Sequence, residues 1–257
     1  MDFETLLYAA DNEVAVVTLN RPHALNAMNR QLWHDLQTAL DDAKADPRIK
    51  VVVLTGQGRA FSSGADLKES KTRSTEDYRS YLESLQEVSR AIIRFPKPTI
   101  AAINGFALGS GYELALACDI RIAARDAQIG SPEARVASSV TGGAFRLLQE
   151  LVGPGKAKEL LFTAESIDGA EAERIGLVNK AVDPDALMDA AMDMARRIAA
   201  NDIFSLKMIK RGLRLAQSEV SLEALMDFET EACLACVSTR SRREALARFE
   251  KRKGDGS

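Results

Sequence analysis

Residues 105–120, GFALGSGYELALACDI, join a glycine-rich turn to an apolar helix. Gly109, Ser110 and Gly111 stand where this helix should begin. The first N–H groups of a helix have no intrahelical acceptor and carry partial positive charge, so backbone alone can bind an anion there. Glu113 follows Ser110 by three residues and therefore projects from the same side of the helix. Glycine at a helix start and Glu in a first turn are also ordinary packing features, so this segment alone leaves its role open.

Two other segments supply matching groups. Residues 59–69, RAFSSGADLKE, contain a small-residue turn, and we expect the N–H of Ala65 in this turn to face the same ligand oxygen as the Ser110 N–H. Residues 129–136, IGSPEARV, place Glu133 in a loop that follows a predicted strand. Two carboxyl groups in a dry pocket, with two N–H donors between them, fit proton transfer to and from an enolate.

Composition excludes several classes of protein. Of the 257 residues, 46% are hydrophobic and 28% charged, a mixture typical of globular proteins rather than disordered ones. The net charge of −3 argues against a nucleic-acid partner, and we expect the basic stretch 239–253, TRSRREALARFEKRK, to be a solvated or partner-facing helix. No apolar run approaches the roughly 18 residues that cross a bilayer, so we expect no membrane partner.

The first residues and the cysteines bear on location. The stretch MDFETLLYAADNE lacks the pattern of a secretion signal or a transit peptide, and three cysteines agree with a reducing compartment, so we expect a cytoplasmic location. Cys233 and Cys236 form a C-x-x-C inside an amphipathic stretch, which favours core packing on one helix face over redox or zinc chemistry. The only histidines, His23 and His34, form no metal-ligand cluster with them, so we expect no metal site.

The order of patterns along the chain predicts an α/β protein. Two β-prone runs around Asp11 and Asn12 predict a hairpin, and leucines at helical spacing predict a helix that Asn29 caps. The apolar runs KVVVLTG and KPTIAAING predict buried strands, each followed by a glycine-containing turn and a helix. Strands separated by helices indicate α/β layering, and the chain from about Asn201 onward is predicted to be helical.

Together, the motifs NRPHALNAMN, GRAFSSGADLKE, KPTIAAINGFALGSGYELALACDIRIAA and IGSPE resemble the enoyl-CoA hydratase/isomerase (crotonase) superfamily over nearly the whole chain. The resemblance implies a spiral of repeated β-β-α units over residues 1–200, which holds the active site. It also implies a C-terminal helical region, residues 201–257, that forms homotrimers, often paired into hexamers. The implied substrate is an acyl-CoA thioester, with no metal or redox cofactor, since coenzyme A is part of the substrate.

The resemblance also implies roles for individual residues. The N–H groups of Ala65 and Ser110 would form the oxyanion hole that holds the thioester oxygen. Glu113 would orient and deprotonate the water that attacks the β-carbon, and Glu133 would give a proton to the α-carbon. The implied substrate and CoA contacts are His23, Ala24, Ala65, Asp66, Leu67, Lys68, Ser110 and Lys251, the last toward the CoA phosphates of a neighbouring subunit.

Departures from the family pattern leave the acyl chain and the exact reaction open. Ser110 stands where the family usually has the middle residue of Gly-Gly-Gly, and SSVTGGAF, residues 138–145, replaces a Pro-containing glycine loop. Because both glutamates are present, the preferred hypothesis is a hydratase, which adds water across the 2,3-double bond of a 2-enoyl-CoA. Alternatives are a Δ3,Δ2-enoyl-CoA isomerase that needs one glutamate, a hydrolase, lyase or decarboxylase of an acyl-CoA, and a non-catalytic acyl-CoA-binding protein. Retention of both carboxyl groups and both donor turns argues against the last.

Overall fold

The computed structural model describes residues 3–70, 75–218, 220–237 and 239–244. The chain divides into two units, Met1–Ile198 and Ala199–Ser257. Lys251, one of the predicted CoA contacts, lies outside the described residues.

The strands of the described chain form two sheets. Their bounds are β1 (Leu6–Asp11), β2 (Val14–Leu19), β3 (Val51–Gly56), β4 (Ala60–Ser62), β5 (Thr99–Ile103), β6 (Phe106–Leu108), β7 (Ile120–Ala124), β8 (Gln128–Gly130), β9 (Ile167–Asp168) and β10 (Lys180–Val182). The larger sheet has the order β1-β2-β3-β5-β7-β10, and the smaller one has the order β4-β6-β8-β9.

The helices of the described chain are α1 (Arg30–Ala45), α2 (Leu67–Ser70), α3 (Thr75–Ile93), α4 (Ser110–Ala117), α5 (Ala144–Thr163), α6 (Gly169–Arg174), α7 (Leu187–Ala199), α8 (Ile203–Ala216) and α9 (Leu222–Val237). The last two belong to the second unit and pack on each other. None of the helices in the described ranges is long and apolar enough to cross a membrane.

A β-β-α unit repeats along the first unit. In the pairs β3-β4, β5-β6 and β7-β8, the first strand joins the larger sheet and the second joins the smaller one, and a helix follows each pair. Equivalent strands are neighbours and run parallel. This arrangement confirms the predicted α/β spiral of repeated units. It also brings the turns that follow β4, β6 and β8 to one edge of the smaller sheet, because parallel strands end on the same side.

Local predictions in the first 60 residues are confirmed. β1 and β2 form an antiparallel hairpin, and Asn12 occupies its turn with a positive φ of 54°. Asn29 caps α1, since its side-chain oxygen accepts a hydrogen bond from the Leu32 N–H at 3.0 Å. The apolar run KVVVLTG forms the buried strand β3, at the centre of the larger sheet.

The prediction for the two cysteines of the C-x-x-C is half wrong. They lie on α9, as a helical stretch should, but Cys233 is exposed and Cys236 is only half-buried. No described residue of α9 is buried within this chain. A unit made largely of two helices cannot surround either one, so a periodic apolar face there does not become a core.

Candidate active site

The sequence-predicted site residues gather at the edge where β4, β6 and β8 end. The pairing of Ser62 with Ala107 and of Leu108 with Gly130 sets the three strand ends side by side. The turns that follow carry Ala65, Ser110 and Glu133 respectively. Glu113 lies in the first turn of α4, directly after the second of these turns. Residues separated by up to 68 positions in sequence therefore belong to one local cluster, since the strands place their turns together.

The turn after β4 touches the start of α4. Gly64 has a φ of +97°, and a Cβ added to it would lie 2.7 Å from the Leu108 carbonyl oxygen and 3.3 Å from the Ser110 nitrogen. Only glycine adopts this backbone conformation without strain, and only glycine leaves room for such an approach. The turns that carry Ala65 and Ser110 are thus in contact through backbone atoms.

The two amides expected to form the oxyanion hole are unused donors. The Met28 N–H donates to the Gly64 oxygen at 2.8 Å and the Asp66 N–H donates to the Met28 oxygen at 3.1 Å, a parallel bridge that turns the Ala65 N–H to the opposite side. Ser110 is the first residue of α4, where an N–H has no intrahelical acceptor. No described residue accepts a hydrogen bond from either amide.

Glu133 lies against the start of α4. A Cβ added to Gly109 would lie 2.8 Å from Oε1 of Glu133. Gly109 precedes the helix with φ 53° and ψ −124°, a conformation that is unfavourable for any residue with a Cβ. The Ser131 hydroxyl donates a hydrogen bond to Oε2 of Glu133, which is half-buried in a short 3-10 turn, Glu133–Val136. Glu133 is thereby held beside the helix start that offers the Ser110 amide.

Glu113 is buried and held on both oxygens. Glu113 is only 5% exposed. The Thr141 hydroxyl donates a hydrogen bond to Oε2 of Glu113 at 2.6 Å, and the Thr141 N–H donates one to Oε1. The pKa of Glu113 is raised above its ordinary value, mainly because the carboxyl group is buried. The Thr141 hydrogen bonds lower this pKa in part, and a charge on Glu133 raises it. The two predicted acids are therefore electrostatically coupled.

The far end of α4 is fixed by a buried arginine. Arg121 on β7 donates from Nη1 to the Cys118 oxygen at 2.6 Å and from Nε to the Leu177 oxygen at 2.9 Å. A guanidinium at the C-terminal end of a helix complements the helix dipole, although burial lowers the pKa of Arg121. Tyr112, on the same helix, is 2% exposed and packs in the core. Contacts at both ends of α4 therefore hold the helix in place.

The predicted CoA contacts near the N-terminus lie around the same turn. His23 is exposed and Ala24 is half-buried in the 3-10 turn Pro22–Ala24. The Ser63 N–H donates to the Leu25 oxygen at 2.9 Å, which places this turn beside the one that carries Ala65. Leu67 and Lys68 begin α2, and Lys68 is exposed.

The carboxylate of Asp66 is engaged inside the protein. It forms an ion pair with Arg21 at 3.0 Å, and its other oxygen accepts a hydrogen bond from the Lys68 N–H at 3.1 Å. Both side chains of the pair are largely covered, at 15% exposure for Arg21 and 11% for Asp66. Sequence reasoning missed Arg21; its only signal was its place in NRPHALNAMN. The ion pair connects Asp66, the residue after Ala65, to Arg21, which follows β2.

Sequence reasoning also missed the hydrogen-bond donors to the two glutamates, Thr141 and Ser131. Thr141 lies in SSVTGGAF, which departs from the family pattern, and Ser131 lies in the motif IGSPE, but neither stretch indicates a hydrogen bond to a glutamate. Within the described ranges, no group of three or more His, Cys, Asp or Glu side chains is arranged to hold a metal ion.

The model of the enoyl-CoA hydratase/isomerase family matches residues 9–255 of this chain. The chain belongs to this family.

Particular relatives are similar along their full length. The short-chain-enoyl-CoA hydratase of Clostridium acetobutylicum is 39% identical, over 100% of this chain and 98% of that protein. The crotonyl-CoA hydratase of Syntrophomonas wolfei is 36% identical, over 99% of this chain and 98% of that protein. Among solved structures, an enoyl-CoA hydratase from Bacillus anthracis superposes with a TM-score of 0.93 at 34% identity and covers 97% of each chain.

The glycine at the helix start gives a test of this geometry. Replacing Gly109 by Ala should lower the free energy of unfolding by about 1–3 kcal/mol, because φ is positive and the new methyl group meets the Glu133 carboxylate. Urea denaturation measures the change. Gly155→Ala on α5 is the matched control: beyond its own helix backbone and chain neighbours, no atom lies within 4 Å of the added Cβ, so stability should stay the same or rise by about 0.4–1 kcal/mol. Equal effects of the two substitutions would contradict the account.

Proposed function

We propose that this protein is an enoyl-CoA hydratase, a hydro-lyase that adds water across the 2,3-double bond of a 2-enoyl-CoA thioester. One observation carries the proposal: the unused amides of Ala65 and Ser110 belong to touching turns, and Glu113 and Glu133 lie at the same strand ends. The hydratases among its relatives, which match end to end, support the same reaction.

The two amides would bind the thioester oxygen. When water attacks C3 of the conjugated system, negative charge develops on that oxygen as an enolate. Two fixed N–H donors stabilise this charge more than they stabilise the neutral carbonyl, and loss of one such donor typically costs about 3 kcal/mol of barrier. The donors at Ala65 and Ser110 are backbone groups, so they need no side-chain reorganisation during the reaction.

The glutamates would carry the two protons. Glu113, as the carboxylate, takes a proton from the water while the C3–O bond forms, and Glu133, as the acid, gives a proton to C2. The hydrogen bonds to Glu113 support its role as the base. Both of its oxygens accept hydrogen bonds from Thr141, which favour the ionised form against the burial that raises its pKa.

This chemistry needs no metal or redox cofactor. The thioester already conjugates the double bond to a carbonyl, the backbone stabilises the enolate, and two side chains move the protons. Coenzyme A enters as part of the substrate.

An isomerase remains the main alternative on this scaffold, since it would shuttle one proton with one glutamate and would not need Glu113. Glu113 is present, is buried, and accepts hydrogen bonds on both oxygens, which favours hydration. Isomerisation of a 3-enoyl-CoA without net hydration would favour the alternative.

The same proposal includes assembly and location. We expect a homotrimer or a dimer of trimers, with residues 201–257 at the interface and Lys251 near the CoA phosphates of a neighbouring subunit. Exposed apolar side chains on α8 and α9 support this, at 59% exposure for Ile209, 65% for Leu213 and 57% for Leu234. A cytoplasmic location is the expectation from the sequence.

Substitution of each glutamate tests the mechanism. Glu113→Gln and Glu133→Gln should each lower kcat for crotonyl-CoA hydration by about 10²-fold or more, because each removes one proton-transfer step. The loss of the conjugated enoyl absorbance measures the rate. Glu173→Gln, an exposed substitution on α6, is the control and should leave kcat unchanged.

Undiminished hydration by Glu113→Gln would refute the mechanism with two glutamates. Tight binding of CoA thioesters without turnover of any 2-enoyl-CoA by the unmodified protein would instead favour a non-catalytic binding protein.

The pH profile provides a second test. Burial raises the pKa of Glu113, and the base must be ionised, so activity should fall as pH decreases through this raised value. The acid limb of kcat/KM against pH should therefore lie above about pH 4.3, the ordinary pKa of a glutamate. A limb at or below that value would contradict the assignment of Glu113 as the base.

A further inference from the structure

The loop before α5 reaches into the site through one residue. Thr141 donates two hydrogen bonds to the same carboxylate, from its N–H to Oε1 of Glu113 and from its hydroxyl to Oε2 at 2.6 Å. Thr141 and Glu113 are separated by 28 residues in sequence. A fork of two donors from one residue fixes both the position and the plane of the carboxylate, which a single hydrogen bond does not.

The loop is itself anchored on α3. The Gly142 N–H donates to Oε1 of Gln86 at 3.1 Å, next to the Thr141 fork. A Cβ added to Gly142 would lie 2.9 Å from the Ser89 hydroxyl oxygen and 3.0 Å from Cβ of Glu113. The chain thus passes between α3 and α4 at Gly142, where a side chain would push Thr141 away from the carboxylate.

We propose that Thr141 is a positioning residue of the hydration reaction: its amide and hydroxyl hold the Glu113 carboxylate in the orientation in which it takes a proton from water. This rests on the proposed function. Each carboxylate oxygen has two lone-pair directions, and the fork occupies one on each, which leaves one on each for the water. Thr141 acts through Glu113 and does not itself contact the reacting atoms.

The surroundings of Glu113 oppose its ionised form, and the two hydrogen bonds from Thr141 counteract them. Burial disfavours the carboxylate form, and Glu133, in the turn after β8, disfavours it further whenever Glu133 is itself ionised. On α4 itself the neighbouring titratable group is Tyr112, and α3 contributes the neutral side chains of Gln86 and Ser89. The hydrogen bonds that favour the ionised form come from Thr141, so removing one should raise the pKa of Glu113.

Thr141→Val in the full-length protein tests the role, since it removes the hydroxyl and keeps the shape and the amide. We expect kcat for crotonyl-CoA hydration to fall about tenfold, with KM within about twofold, and the acid limb of the pH profile to move up by about one unit. Thr141→Ser retains the hydroxyl and should restore both kcat and the acid limb. Thr163→Val, an exposed threonine at the end of α5, is the matched control and should change neither.

A double-mutant cycle separates this role from simple packing. In a Glu113→Gln background, Thr141→Val should have little further effect on the residual rate, because Thr141 acts through the carboxylate. If Thr141→Val does not fold, Thr141→Ala takes its place in the same cycle.

Three results would overturn the inference: an unchanged kcat and acid limb in Thr141→Val, the same loss in Thr141→Ser, or additive effects in the cycle. These outcomes are distinct from failure of the proposed function, in which the unmodified protein would hydrate no 2-enoyl-CoA.

Discussion

The backbone contact between Gly64 and the start of α4 is what gives this site its form. It joins the turn that carries the Ala65 amide to the turn that carries the Ser110 amide without the help of any side chain. The parallel pairing of β4 with β6 brings the two turns together, and the Arg121 hydrogen bonds hold the other end of α4. Donors fixed in this way are preorganised, so the protein spends no energy to turn them toward a developing charge.

The carboxyl groups complete the site because the same strand ends carry them. Glu133 lies against Gly109, and Glu113 lies one turn inside the helix, buried where its charge would be costly without Thr141. Two acids with different surroundings can hold different protonation states, which is what a reaction that takes one proton and gives another requires. A fold that repeats one β-β-α unit thereby produces donors and acids at a single edge.

Much of this was predictable because it is local in sequence. The hairpin, the Asn29 cap, the strands and the glycine turns all follow from patterns within about ten residues. The family resemblance then identified Glu113 and Glu133 as a pair. The Thr141 fork and the Arg21–Asp66 ion pair join residues 28 and 45 positions apart, and no local pattern encodes such contacts. The exposure of Cys233 was missed for a related reason: helical periodicity shows which residues share a face and not what covers it.

The vibrational frequency of the bound thioester carbonyl tests whether the two amides act together on one oxygen. The experiment uses the Glu113→Gln variant, which should retain both backbone donors and bind a 2-enoyl-CoA labelled with ¹³C at the carbonyl without rapid turnover. If the amides of Ala65 and Ser110 both donate to the thioester oxygen, its C=O stretch should move to lower frequency than in water, because the bond is polarised toward the enolate. A bound carbonyl that absorbs at or above its frequency in water would contradict the account.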